Sequence, residues 1–270
     1  MAGGASLMTS KTLVLATAGL AAAFDFPDAG FCGLAARRYK NFSGSGRPLY
    51  RFAVSSIRGA QAPFRPAVSE ERGVLSLKRG DFDCVLDLQS GRGTLKCAPR
   101  EQALDSFLRC FYSWLLPRKG GLLLHAASFA RNGKAYLFPG RSGAGKSTLS
   151  KLAARAHFLL SDELVPVRKA GGRFRAWGSP FWGEMRRPGE NRRFDLGGVY
   201  KLAKAGGNQV RELPGGRALG LLLRCSMNFA KDAETAALML SLAAELAATR
   251  NSGELRFAKK NDSFTELVGV

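Results

Sequence analysis

The chain has 270 residues, 46% of them hydrophobic, and 41 Lys and Arg against 21 Asp and Glu give it a formal charge of +20. That length holds one large domain or a small and a medium one, with ample core for a folded globular protein, and no apolar run is long enough to span a bilayer. The basic excess is diffuse, with 14 basic against 7 acidic residues in 1–100 and 27 against 14 in 101–270, and it accompanies no recognisable basic–aromatic module, which argues against a specific nucleic-acid partner. The five cysteines have neither metal spacing nor the density of a disulfide framework, so they read as free thiols in a reducing compartment.

In chain order, Thr12–Phe24 with Lys11 before it has the look of a short secretory signal, but Asp25 and Asp28 follow at once. It is read as the strand-rich start of a domain. Ala29–Phe42 is predicted as one helix, and Gly73–Lys78, Cys84–Leu88 and Thr94–Cys97 as strands separated by turn residues. Residues 1–100 therefore suggest a small α+β or β-rich domain with no visible chemistry. Apolar residues at Leu104, Phe107, Leu108, Phe111, Trp114 and Leu115 predict a helix over Glu101–Leu116, stopped by Pro117. Leu122–Ala130 and Ala135–Phe138 read as strands joined by Asn132-Gly133, a strong hairpin signal. Lys146–Ala156 reads as a helix and Phe158–Ser161 as a buried parallel strand. Val165–Arg168 and Arg173–Trp177 form a second hairpin across Gly171-Gly172, Lys231–Arg250 a long helix, and Glu254–Ala258 a closing strand. Residues 101–270 are thus an α/β domain with antiparallel additions.

Gly140-Arg141-Ser142-Gly143-Ala144-Gly145-Lys146-Ser147 is a complete phosphate-binding loop, lying between a strand and a helix as such a loop requires. Glycines let consecutive N–H groups, including those of Ser142, Gly143, Ala144, Gly145 and Thr148, face a phosphate at the positive end of the helix. Lys146 is placed to bridge the terminal phosphates of a nucleoside triphosphate, and Ser147 to occupy one Mg²⁺ position. Asp162-Glu163 begins sixteen residues after Lys146, at the end of the next strand. An immediate carboxylate is more typical of kinases than of the many phosphate-loop ATPases whose metal-binding acid comes much later. A basic cluster follows, with Arg168, Lys169, Arg173, Arg175, Arg186, Arg187, Arg192 and Arg193 against Glu184 and Glu190. It suits an acidic substrate, phosphates or plain solvent.

Four elements in order resemble the HPr kinase/phosphorylase group, especially its smaller HPr kinase-like relatives: Leu124-His125, the GRSGAGKST loop, Ser161-Asp162-Glu163-Leu164-Val165, and Gly178-Ser179-Pro180-Phe181-Trp182-Gly183-Glu184. The resemblance covers roughly residues 101–270. It implies the phosphate-loop core shared with ATP-dependent phosphoenolpyruvate carboxykinases. Members of the HPr kinase group often assemble into oligomers, which admits a homo-oligomer here, although no interface is legible in the chain. The free thiols and the need for ATP and Mg²⁺ point to a cytoplasmic protein. The resemblance also implies an active-site role for His125, which alone would read as a strand histidine; His157 is read as structural. Where the family commonly carries two aspartates this chain has Asp162-Glu163. Asp162 is therefore assigned to the attacking hydroxyl, as base or orienter, and Glu163 to Mg²⁺, with the roles exchangeable. The family's protein-substrate signature is not evident around Gly183–Leu196, so HPr itself and the phosphorylase reaction are not carried over.

These residues predict ATP-dependent phosphoryl transfer to a hydroxyl, on a serine of a peptide or small protein or on a serine-like small molecule. Arg186 or Arg187 would neutralise charge on the transferred group. A small-metabolite kinase and a non-catalytic nucleotide-sensing partner protein are the alternatives.

Overall fold

Two mixed sheets, accompanied by five α-helices among the described residues, divide the chain into two compact units, Met1–Cys110 and Phe111–Val270. The computed structural model describes residues 11–44, 46–59, 63–187, 189–248, 252–259 and 261–269.

The first unit opens on a hairpin of β1 (Lys11–Thr17) and β2 (Leu20–Phe26), so the stretch with signal-like composition is strand. Its turn, Ala18-Gly19, has φ of 55° and 72°, the left-handed geometry that matches strand twist. Helix α1 (Ala29–Arg38) is capped by Asp28, whose Oδ1 accepts the Phe31 N–H at 2.8 Å. The helix expected to reach Phe42 ends at Arg38, because Tyr39 leaves helical geometry with its ring buried, and a short 3₁₀ turn follows over Lys40–Phe42. β3 (Tyr50–Ser56), β4 (Ala67–Glu71), β5 (Val74–Arg79), β6 (Phe82–Asp87) and β7 (Arg92–Cys97) complete a sheet ordered β1-β2-β3-β7-β6-β5-β4. The unforeseen β4 is a largely exposed edge strand, AVSEE, with too little apolar alternation to be read from sequence. Helix α2 (Glu101–Arg118) contains the boundary between the units and continues through Pro117, whose missing N–H costs one bond in the last turn. Within the first unit its Phe107 ring meets Phe52 and Phe82 edge-on, with centroids 5.6 and 5.8 Å away.

In the second unit β8 (Gly121–Arg131) is the spine. Across Asn132-Gly133, with φ of 49° and 74°, its second half pairs with β9 (Lys134–Pro139). Helix α3 (Lys146–Ala153) follows. Along the opposite edge of β8 lie β10 (Phe158–Ser161), paired with Ser128–Ala130, and then β11 (Leu164–Ala170), paired with residues 121–125. Both are antiparallel to β8, which corrects the reading of Phe158–Ser161 as a parallel-paired strand. β10 passes into β11 across only Asp162-Glu163 along one edge of β8, so the two run in the same, antiparallel direction. β12 (Arg173–Trp177) turns back from β11 through Gly171-Gly172, and β13 (Arg193–Lys204) pairs with β12 and, in parallel, with β9. β14 (Gln209–Glu212), α4 (Gly215–Cys225), α5 (Ala233–Ala247) and β15 (Ser252–Phe257) finish the unit, with β15 parallel to β13. β13 escaped the sequence reading because Gly197-Gly198 interrupts its apolar pattern. A Cβ at Gly197 would lie 2.7 Å from the Tyr136 ring, so the packing itself demands the break.

Alternation sends Leu122, Leu124 and Leu137 to one face with Leu222, Met239 and Leu246 of α4 and α5, and Phe129 and Phe138 to the other with Leu149 and Leu152 of α3. Asp232 caps α5, accepting from the Thr235 N–H at 2.7 Å and its hydroxyl at 2.8 Å. Asp232→Ala is expected to cost about 1 kcal/mol. Burial works against the Asp232 charge, but the Thr235 bonds outweigh it and hold its pKa below 3.8. The cap's contribution is therefore complete above that value and fades as pH falls through the lower folded pKa. Thermal melts of both proteins should converge in acid, and an undiminished gap there would contradict the assignment. All five cysteines are buried thiols, and burial pushes Cys97 and Cys110 up to about 12, which keeps them unreactive at neutral pH. No helix among the described residues is long and apolar enough to cross a membrane.

Candidate functional site

Because β9 and β10 flank β8 and run the same way, their C-terminal ends arrive beside the same two residues. On one edge the Gly140 N–H donates to the His125 carbonyl at 3.2 Å; on the other the Ala126 N–H donates to the Glu163 carbonyl at 2.9 Å. The loop after β9 and the carboxylates after β10 are thus tied to consecutive positions of one strand.

The loop holds left-handed backbone at Gly143 and Gly145, with φ of 80° and 103°, and Gly145 leads into α3 with no side-chain cap. Gly140 packs where a Cβ would sit 2.8 Å from Ala144. Lys146 is 7% exposed and folds back over the loop, donating through Nζ to the carbonyls of Gly140 at 2.7 Å and Arg141 at 3.1 Å. Burial pushes its pKa down, opposed by Cys225, Glu163, Glu184 and Asp162. An incoming anion would relieve that cost.

Ser161 makes the break between β10 and β11. Its Oγ accepts the N–H groups of Glu163 and Leu164, both at 3.1 Å, a side-chain turn that swings Asp162 and Glu163 out of the ladder. Asp162 is 6% exposed, and its Oδ1 and Oδ2 accept the N–H groups of Gly183 at 3.0 Å and Met185 at 2.9 Å. Each oxygen keeps a further lone pair. Asp162 therefore anchors the segment after Gly178, a contact that the sequence reading did not contain.

A cleft of about 460 Å³ gathers His125, Ser142, Gly143, Gly145, Lys146, Ser147, Thr148, Asp162 and Glu163, together with Gly183, Glu184, Lys204 and Lys259. Gly140 and Ala144 shape the loop without lining the cleft. Lys204 and Lys259 were missed. Lys204 ends β13 and Lys259 follows β15, and both strands run parallel to β9, so all three strand ends open on one side. No local signal marks them; only the sheet order does. Arg186 and Arg187, expected over the transferred group, do not line this cleft: Arg186 is exposed with φ 47°, and Arg187 borders a neighbouring cavity. His157 Nε2 lies 3.0 Å from the Thr265 hydroxyl with its ring stacked on Phe129, a structural place.

Among the described residues no three His, Cys, Asp or Glu side chains converge as a metal cage. Mg²⁺ seldom needs one, since it uses one or two carboxylates with phosphate oxygens and water. Ser147, Asp162 and Glu163 supply hard oxygen donors to the same cleft, which suits that ion. No family model matches the chain, and no curated protein sequence matches it.

The segment 178–192 closes at its neck, where the Gly178 N–H donates to the Arg192 carbonyl at 2.8 Å. A Cβ at Gly178 would collide with the Glu190 carbonyl oxygen. Gly178→Ala is accordingly expected to cost about 1–3 kcal/mol by forcing the neck apart. An unchanged Tm would show that the neck is not closed in this way.

Proposed function

We propose that the protein is an ATP-dependent kinase of the HPr kinase-like type, built on the phosphate-loop core that the resemblance implies, and that it transfers the γ-phosphoryl group to a hydroxyl. The observation that carries the reading is the anchoring of the phosphate loop and of Asp162-Glu163 on opposite edges of β8, at His125 and Ala126. Loop amides and Lys146 would hold the phosphates, while Lys204 and Lys259 add positive charge around the nucleotide. Ser147 and Glu163 would hold Mg²⁺, which supplies charge neutralisation between the phosphates. Asp162 would accept the acceptor hydroxyl on a remaining lone pair, and His125 lines the same cleft beside it. Most of the work is electrostatic and positional, as phosphoryl transfer requires.

One observation favours a second reading, a nucleotide-sensing partner protein. Both Asp162 oxygens already serve Gly183 and Met185, an arrangement that could transmit nucleotide occupancy to that segment without chemistry. Incubation with γ-labelled ATP, Mg²⁺ and a panel of L-serine, serine peptides and HPr separates the two. Label on an acceptor supports the kinase. Tight nucleotide binding with no transfer, together with nucleotide-dependent protection of residues 183–187 from proteolysis, supports the sensor.

A further inference from the structure

A second cavity, of about 240 Å³, lies between the edge strand β10 and the segment 178–192. The segment is fastened to that strand by the Ser179 N–H donating to the Leu160 carbonyl at 3.2 Å, and Gly189 is pressed against Ser179, where a Cβ would collide with the Ser179 carbonyl oxygen. Among the described residues Asp162 alone lines both this cavity and the loop cleft. A molecule held here would reach the same carboxylate that, in the kinase reading, meets the terminal phosphate from the loop cleft.

The lining states what that molecule should be. Leu160, Phe181 and Met185 give an apolar floor, while Arg187 and Glu190 place one charge of each sign at the rim. A guanidinium fork matches a carboxylate, and a carboxylate matches an ammonium. The volume falls below the roughly 300–1,000 Å³ of sites for drug-sized ligands, so the occupant is smaller still. We infer that this cavity is the acceptor subsite and that it takes a free hydroxy amino acid, with Arg187 on its carboxylate, Glu190 on its ammonium and its hydroxyl at Asp162.

The inference rests on the kinase reading and narrows it from protein or small-molecule acceptors to a zwitterion. In the transfer, the acceptor oxygen forms the new bond to the γ-phosphorus. The bond from that phosphorus to the β–γ bridging oxygen breaks, its electron pair stays on the departing nucleoside diphosphate, and the hydroxyl proton passes to Asp162. The amino acid leaves as its phosphate ester.

The test is calorimetric titration of the full chain. A non-hydrolysable ATP analogue with Mg²⁺ is added first, then L-serine, L-threonine, L-homoserine or N-acetyl-serine amide, which lacks both charges. At least one free amino acid should bind, and Arg187→Ala and Glu190→Gln should each weaken it about tenfold or more, with analogue affinity held within about twofold. The blocked serine should bind about tenfold or more weaker than free serine. If the analogue fails to bind, the kinase reading falls and this inference with it. If the analogue binds but no amino acid does, if both variants keep full amino-acid affinity, or if the blocked serine binds equally well, the subsite alone is overturned.

Discussion

Lys146→Met should lower phosphoryl transfer by about 10²–10³-fold while leaving the fold intact. The lysine is nearly buried, and among the described residues its ammonium donates to two carbonyl oxygens, those of Gly140 and Arg141. In the proposed kinase such a cation, held at the start of a helix, meets the negative charge of the terminal phosphates. Methionine keeps the stem and removes the charge, so the ground-state packing survives. Stability should follow the same logic. Folding depresses the Lys146 pKa below 10.5. The unfolded chain therefore binds the proton more tightly, and this residue's contribution to stability rises as pH increases through the folded pKa towards 10.5. Lys146→Met should lack that rise and match or exceed the wild-type Tm at neutral pH. Loss of several degrees in the variant, or full transfer activity, would contradict the role given to the side chain.

Asp162→Asn should have two separable consequences. Transfer is expected to fall by about 10²-fold or more, because the amide neither carries charge nor takes a proton. The amide also offers one acceptor oxygen where the carboxylate offered two. Its NH₂ group would then face the N–H of Gly183 or of Met185, leaving one donor unsatisfied at a cost of about 1–3 kcal/mol. At this chain length that corresponds to about 2–4 °C in Tm per kcal/mol. The released segment should be cleaved faster by trypsin after Arg186, and this readout would not move if Asp162 served chemistry alone. Loss of transfer with unaltered cleavage would assign the carboxylate to the reacting atoms only; faster cleavage with normal transfer would assign it to the segment only.

The two consequences arise from two distances in the chain. The link between Asp162 and the phosphate loop is local: α3, a short turn and β10 are all that separate them, and they fill that interval with almost no slack. The link between Asp162 and Gly183 or Met185 spans 21 and 23 residues and depends on how β11 and β12 turn back.

The sequence alone was enough for whatever depends on neighbours along the chain. The glycine spacing of the phosphate loop, the Asn132-Gly133 hairpin, the helices that hold Leu108 and Leu149 and the strand ending at Ser161 all follow from backbone freedom and side-chain period. Tertiary structure decided the rest, because pairing direction and convergence are properties of a sheet and not of a segment. Phe158–Ser161 has the composition of a buried strand in either direction, and only its place on β8, continuous with β11, makes it antiparallel. β13 was hidden by Gly197-Gly198, of which Gly197 leaves room for the Tyr136 ring. Lys204 and Lys259 entered the cleft, and Arg186 and Arg187 stayed out of it, because parallel strand ends gather on one side of a sheet whatever the spacing of their residues in sequence.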